Sequence, residues 1–176
     1  MPDPAERELK ISPSPGQRFP DLRLPDHDGH ERSLSELVGG DPTVLQFFRG
    51  WWCPKEQAFL RRLVALQDEI EVAYTNVVSV SVDPPEVAAA FRAGAGARWT
   101  FLCDVERRYQ GSLGLRELTD TLHDPYLPAV FVLAPGLEVH SAYNGYWYWG
   151  RPTMEDLRRD LRAVTRAIRP DWEPPR

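Results

Sequence analysis

The chain has little cysteine and almost no lysine. Its 176 residues hold two cysteines, Cys53 and Cys103, too few and too far apart for the disulfide framework of a small secreted domain. Only Lys10 and Lys55 are lysines, so nearly all positive charge is arginine, and the formal net charge is −5 at pH 7. That balance argues against nucleic acid and against an anionic membrane surface as partners. No apolar run is long enough to span a bilayer. The opening MPDPAERELKISPSPG is charged and proline-rich, unlike a signal peptide. Neither a dinucleotide fingerprint nor a phosphate loop occurs, so no cofactor is expected. These absences predict a protein of the reducing cytoplasm, where an active thiol can be regenerated.

What is present is ordinary for a globular chain: 42% hydrophobic and 27% charged residues, enough for one domain with a sizeable core. Residues 1–15 hold four prolines and no apolar period, and read as a flexible or surface-draped arm. Residues 16–168 read as the domain and 169–176 as a loose tail from which Trp172 could dock back. Within the domain an extended segment is expected around Leu22–Leu24, a turn at Asp28–Gly29, and a short helix at 33–37 with a serine start. Strands follow at 43–48, 77–82, 99–103, 128–133 and 137–140, the last two forming a hairpin through Ala134-Pro135-Gly136. Helices are expected at 54–70, at 85–93 with Gly94 and Gly96 ending it, at Val105–Gln110 with Asp104 as cap, and at 154–168 with Thr153 as cap. Residues 113–122 read as helical or irregular. Parallel crossovers first and a hairpin last imply an α/β fold with a central mixed sheet flanked by helices.

One stretch organises the rest: FFRGWWCPKEQAFL, residues 47–60. A strand leads in, a helix leads out, and Pro54 stands where a helix tolerates proline best. Cys53 therefore falls at the helix N-cap. There free N–H groups and the positive end of the helix dipole favour a thiolate, the nucleophilic form. The plain alternative is a buried structural cysteine. Arg49, four residues before Cys53, is a permanent cation that could favour the thiolate or bind an oxyanion; its plain reading is a surface arginine. Glu56 reads by itself as a solvated first-turn glutamate. His123, in the loop before Pro128, is a base candidate beside a cysteine, or a solvated loop histidine. Arg151 is a weaker candidate, expected to support the final helix. His27-Asp28-Gly29-His30 looks like a metal clip but is better read as a turn, and no metal site is assigned. The aromatic run Tyr143–Trp149 could line a substrate groove or a homodimer contact, or pack in the core.

Strand, then Trp52-Cys53-Pro54, then helix resembles the thioredoxin superfamily, and Cys53-Pro54-Lys55-Glu56 is similar to the C-P-x-E segment of peroxiredoxins. The chain is identified as a member of the peroxiredoxin-like redoxins, of the alkyl hydroperoxide reductase and thiol-specific antioxidant type, over about residues 16–168. The resemblance implies a thioredoxin-like fold with a redoxin N-terminal extension. It implies catalysis by Cys53, with site support from Arg49, Trp52, Pro54, Glu56 and Pro128, the last matching the cis-proline that packs beside the active cysteine. The chain departs from the family pattern P-x-x-x-T-x-x-C: Gln46 and Gly50 stand at those spacings. Leu127-Pro128 replaces a family arginine.

Three functions follow as expectations. The first is a thiol peroxidase using a single cysteine, with a small peroxide as substrate and an external thiol as reductant. The second is a monothiol reductase or transferase acting on disulfides. The third is a binding module that keeps Cys53 for packing. Cys103 is the only internal candidate to resolve an oxidised Cys53. In the redoxin arrangement that the resemblance implies, strand 77–82 lies between the two, putting them about 10 Å or more apart from strand spacing; a disulfide would then require unwinding the first turn of the helix after Cys53 or moving the loop after Cys103.

Overall fold

The computed structural model describes residues 13–171, with Tyr148 described by its backbone only. The expectations for residues 1–12 and for Trp172 lie outside the described residues.

The central sheet has the order β5-β4-β3-β6-β7. Its strands are β3 (Thr43–Phe47), β4 (Asn76–Ser81), β5 (Thr100–Cys103), β6 (Ala129–Ala134) and β7 (Glu138–Asn144). β3, β4 and β5 run parallel, while β6 and β7 pair antiparallel, so the sheet is mixed as expected. Side chains alternate across it. Leu45 and Phe47 enter one core with Phe19, Leu22, Leu34, Tyr126 and Phe131. Val44 and Phe48 enter the other with Phe59, Leu63, Leu157 and Val164.

The first core is closed by the N-terminal segment. A hairpin of β1 (Arg23–Pro25) and β2 (Glu31–Ser33) leads into α1 (Leu34–Val38), whose N-cap Ser33 accepts the Glu36 N–H. The hairpin turn is held by the Asp26 carboxylate, which accepts the N–H groups of Asp28 at 2.9 Å and His30 at 3.0 Å. This segment also meets both edge strands of the sheet at isolated points. Gly16 and Phe19 bond to Val139 and Leu137, and Asp26 bridges to Leu102.

The second core is closed by α2 (Pro54–Val72), α3 (Pro85–Ala95) and α4 (Met154–Ile168). α4 begins with a reciprocal cap between Thr153 and Asp156. Gly96, at φ 74°, ends α3; Gly94 lies inside that helix and does not end it.

The helix expected at Val105–Gln110 does not form. Those residues make turns, with Arg107 at φ 57°. The Asp104 carboxylate explains the difference. It accepts the N–H groups of Arg108 and Tyr109 and the buried hydroxyl of Tyr126, ties that turn this segment back toward β6. Residues 113–122 are irregular, with Leu113 and Leu115 buried.

Candidate active site

β3 ends at Phe47, and five loop residues plus the cap carry the chain to α2. Cys53 is the N-cap, at φ −83° and ψ 117°, and its side chain makes no capping bond. Its carbonyl accepts the Gln57 N–H, so the sulfur stands at the end of the helix with the free N–H groups. Cys53 is buried, at 3% exposure. The preceding loop is pinned by the Trp51 N–H, which donates to Asp83 at 3.1 Å. Burial pushes the Asp83 carboxyl up, partly opposed by that N–H and the Ser81 hydroxyl.

Arg49 reaches the thiol. Its Nη1 lies 4.0 Å from Cys53 Sγ, and its Nη2 donates to Asp120 Oδ2 at 2.8 Å. The guanidinium sits 4.9 Å from the centre of the Trp52 ring, within cation–π range. Its Nε is buried and meets no acceptor among the described residues. The other face of the cluster is His123, stacked on Trp52 at 3.9 Å, with Nδ1 3.0 Å from Asp120 Oδ2. Backbone N–H groups of Leu122 and His123 donate to Asp120 Oδ1. The His123 N–H, the His123 ring and Arg49 hold the Asp120 carboxyl below its usual range. Neither the Arg49–Asp120 pair nor the His123 stack is visible as a spacing in the sequence.

Glu56 is not solvated. It is 1% exposed and forms a buried ion pair with Arg151. Burial pushes its carboxyl up, opposed by Arg151 and by the Arg49 backbone N–H. Arg151 thus meets the first turn of α2. The loop carrying it is tight: a Cβ on Gly145 would lie 2.9 Å from Pro128 Cβ and 3.1 Å from Arg151 Cγ. Pro128 is buried directly before β6, whose Ala129 pairs with Phe47. That places Pro128 at the same end of the sheet as Cys53. Pro54 is exposed at the first turn of α2.

Gly50 stands where the peroxiredoxin threonine would be, and the structure shows what fills that space. A Cβ there would lie 2.5 Å from Trp52 Nε1, and φ is +153°. Gln46, at the proline spacing, is buried and accepts the Ser79 hydroxyl, which also accepts the Trp99 indole N–H.

Cys103 does not join the cluster. It pairs with Ser81 on the far side of β4 and packs with Phe101 and Ala88. Burial, then the charges of Asp83, Asp26 and Glu86, push its thiol up to about 12. Both cysteines are free thiols. The aromatic run divides: Tyr143 donates to Asp160, whereas Trp147 and Trp149 are exposed. A cavity of about 420 Å³ lies at the opposite end of α2, between Ile70, Tyr74 and Leu161, far along the helix from Cys53. Among the described residues no helix is long and apolar enough to cross a membrane.

Residues 15–142 match the AhpC/TSA family. A provisionally named peroxiredoxin of Mycobacterium tuberculosis is 28% identical over 155 residues, covering 84% of this chain and 94% of its own length. Among solved structures, the peroxidoxin BcpB of Mycobacterium tuberculosis superposes with a TM-score of 0.74 at 23% identity, covering 89% of this chain and 98% of that one. A thiol peroxidase from Chromobacterium violaceum gives 0.73 at 16% identity, covering 88% and 89%. A thioredoxin-like sheet, a cysteine capping the helix that follows its central strand, and a family match over most of the chain converge: this protein belongs to the AhpC/TSA family and is an enzyme of the peroxiredoxin-like thiol peroxidase type.

Proposed function

We propose that the protein reduces hydroperoxides through Cys53 alone and is recycled by a thiol from outside the chain. The observation that carries this is the Arg49 guanidinium, with Nη1 4.0 Å from Cys53 Sγ. A cation beside the sulfur favours the thiolate. Nη1, beside the sulfur, is also placed to donate to an oxygen developing charge as the O–O bond breaks.

In the first step the thiolate attacks the terminal oxygen of ROOH. The S–O bond forms, the O–O bond breaks, sulfur gives up two electrons, and the departing oxygen takes a proton as alcohol or water. The product is Cys53 sulfenic acid. An external thiol condenses with it, releasing water and leaving a mixed disulfide. A second external thiol releases the Cys53 thiolate. Glu56 and Arg151 shape the first helical turn behind the sulfur, and Pro128 walls the same end of the sheet.

Disulfide exchange is the second reading. It is favoured by Trp52 filling the space where the peroxidase threonine would stand. One experiment separates the two. Reduced protein is mixed with one equivalent of hydrogen peroxide or of oxidised glutathione, and the Cys53 peptide is weighed after trapping with a sulfenic-acid reagent. The peroxidase reading requires rapid sulfenic acid with peroxide. Glutathionylation alone, with peroxide inert, makes the protein a disulfide reductase. A thiol inert to both leaves Cys53 a packing residue.

A further inference from the structure

The Arg49 guanidinium can act on Cys53 only if it is held there. It has four rotatable side-chain bonds, and fixing them costs conformational entropy. One carboxylate supplies the hold. Asp120 Oδ2 accepts Arg49 Nη2 at 2.8 Å, leaving Nη1 facing the sulfur. The same carboxylate is fixed from behind. Its Oδ1 accepts the Leu122 and His123 N–H groups, and His123 Nδ1 lies 3.0 Å from Oδ2. A carboxylate only accepts, so the bond requires the proton on Nδ1. The imidazole is in turn held flat on Trp52, which also lies under Arg49. The loop has an independent tether: Arg107 donates to the carbonyls of His123 and Asp124.

We propose that Asp120 is a positioning residue for the thiol chemistry, its carboxylate, shared between Arg49 and His123, holding the guanidinium against Cys53. This role rests on reading Cys53 as the nucleophile. The titratable groups around it are Arg49 and His123 on its own cluster and Asp83, which faces His123 from the end of β4; Glu56 lies behind, already paired with Arg151. Asp120 therefore has two opposed effects on the sulfur. Its own negative charge disfavours the thiolate, and its hold on Arg49 favours it. The guanidinium stands between the carboxylate and the sulfur, so the nearer, positive group governs.

The two effects give an Asp120 variant opposite signs, which makes the role testable. Alkylation of Cys53 by iodoacetamide is followed against pH in the wild type, Asp120→Asn and Asp120→Glu. The amide oxygen of asparagine still accepts the Leu122 and His123 N–H groups but carries no charge for Arg49. The expected result is that the D120N profile moves to higher pH, with the rate at pH 7 about three- to tenfold lower, and that D120E returns toward the wild type. Thermal unfolding of each variant is recorded alongside. If D120N does not fold, Asp120→Ser, whose hydroxyl still accepts backbone N–H groups, takes its place. A profile that stays put, or moves to lower pH as simple deletion of an anion would produce, overturns the role. A wild-type Cys53 inert at every pH overturns the nucleophile reading itself and this role with it, a distinct outcome.

Discussion

The Trp52 indole occupies the space that a side chain on Gly50 would need: a Cβ there would meet Nε1 at 2.5 Å. The glycine and the tryptophan are one feature. Gly50→Thr, which would write the peroxiredoxin threonine back into the chain, is expected to destabilise the protein by about 1–3 kcal/mol through overpacking, with added strain from the positive φ. It should not raise peroxide turnover. The double variant Gly50→Thr/Trp52→Ala removes the obstruction and should recover part of the lost stability. Thermal melts and peroxide consumption on the three proteins check this; a G50T protein as stable as the wild type would show that the indole moves aside freely.

Glu56 and Arg151 form a buried pair, 2% and 6% exposed at their side chains. Removing one partner of such a pair leaves the other uncompensated and typically costs about 3–5 kcal/mol. Glu56→Gln is therefore expected to cost well above the ~1 kcal/mol or less of an exposed first-turn glutamate. Glu56→Gln/Arg151→Met should be more stable than the sum of the single variants predicts, because it leaves no orphaned charge. Urea unfolding of the double-variant cycle measures the coupling; strictly additive losses would mean the two side chains do not sense each other.

Much of the scaffold was legible in the sequence because its signals are local. Pro54 at the first helical position, the β-branched run before Asp83-Pro84-Pro85, and Thr153 three residues before Asp156 each act over a few residues, and each reappears as the cap or boundary expected. The misread segment failed for the opposite reason. Asp104 before Val105–Gln110 looks like a cap, yet its carboxylate answers to Tyr126, far along the chain. The site divides in the same way. Cys53 at a strand-to-helix junction is a local pattern. The partners of Glu56 and Arg49 are 95 and 71 residues away, and no spacing announces them.

The cap of α4 carries a pH signature. The Thr153 N–H and hydroxyl, and then Arg159, hold the Asp156 carboxyl below its usual value. A carboxyl depressed in the folded state binds its proton more weakly there than in the unfolded chain. Its contribution is therefore complete above the unfolded value of about 3.9 and is lost as pH falls through the lower folded value. Asp156→Asn is expected to be less stable than the wild type by a constant margin between pH 5 and 7, and the margin should shrink below about pH 4. Urea midpoints across that range test it; a margin that widens on acidification would reverse the assignment.

Cys103 is the only other thiol, and three features argue against its resolving an oxidised Cys53. β4 lies between its strand and β3, so two inter-strand steps of about 4.8 Å separate the strands themselves, whereas a disulfide needs Cα atoms within about 7 Å. Its side chain packs among apolar residues. Burial and neighbouring carboxylates push its thiol up to about 12, so at neutral pH almost none is in the attacking form. Bridging to Cys53 would require the loop after Cys103 to move, or the first turn of α2 to unwind and break up the buried Glu56–Arg151 pair. Cys103→Ser is thus expected to leave steady-state peroxide turnover with an external thiol within about twofold of the wild type, a small fraction of a kcal/mol on the barrier. Cys53→Ser should abolish turnover while the fold persists. Stopped-flow peroxide reduction and non-reducing peptide mapping decide the matter. A Cys103→Ser protein that completes one turnover and then stalls, together with a Cys53–Cys103 disulfide trapped from the wild type, would make Cys103 the resolving thiol and α2 a helix that opens at its first turn.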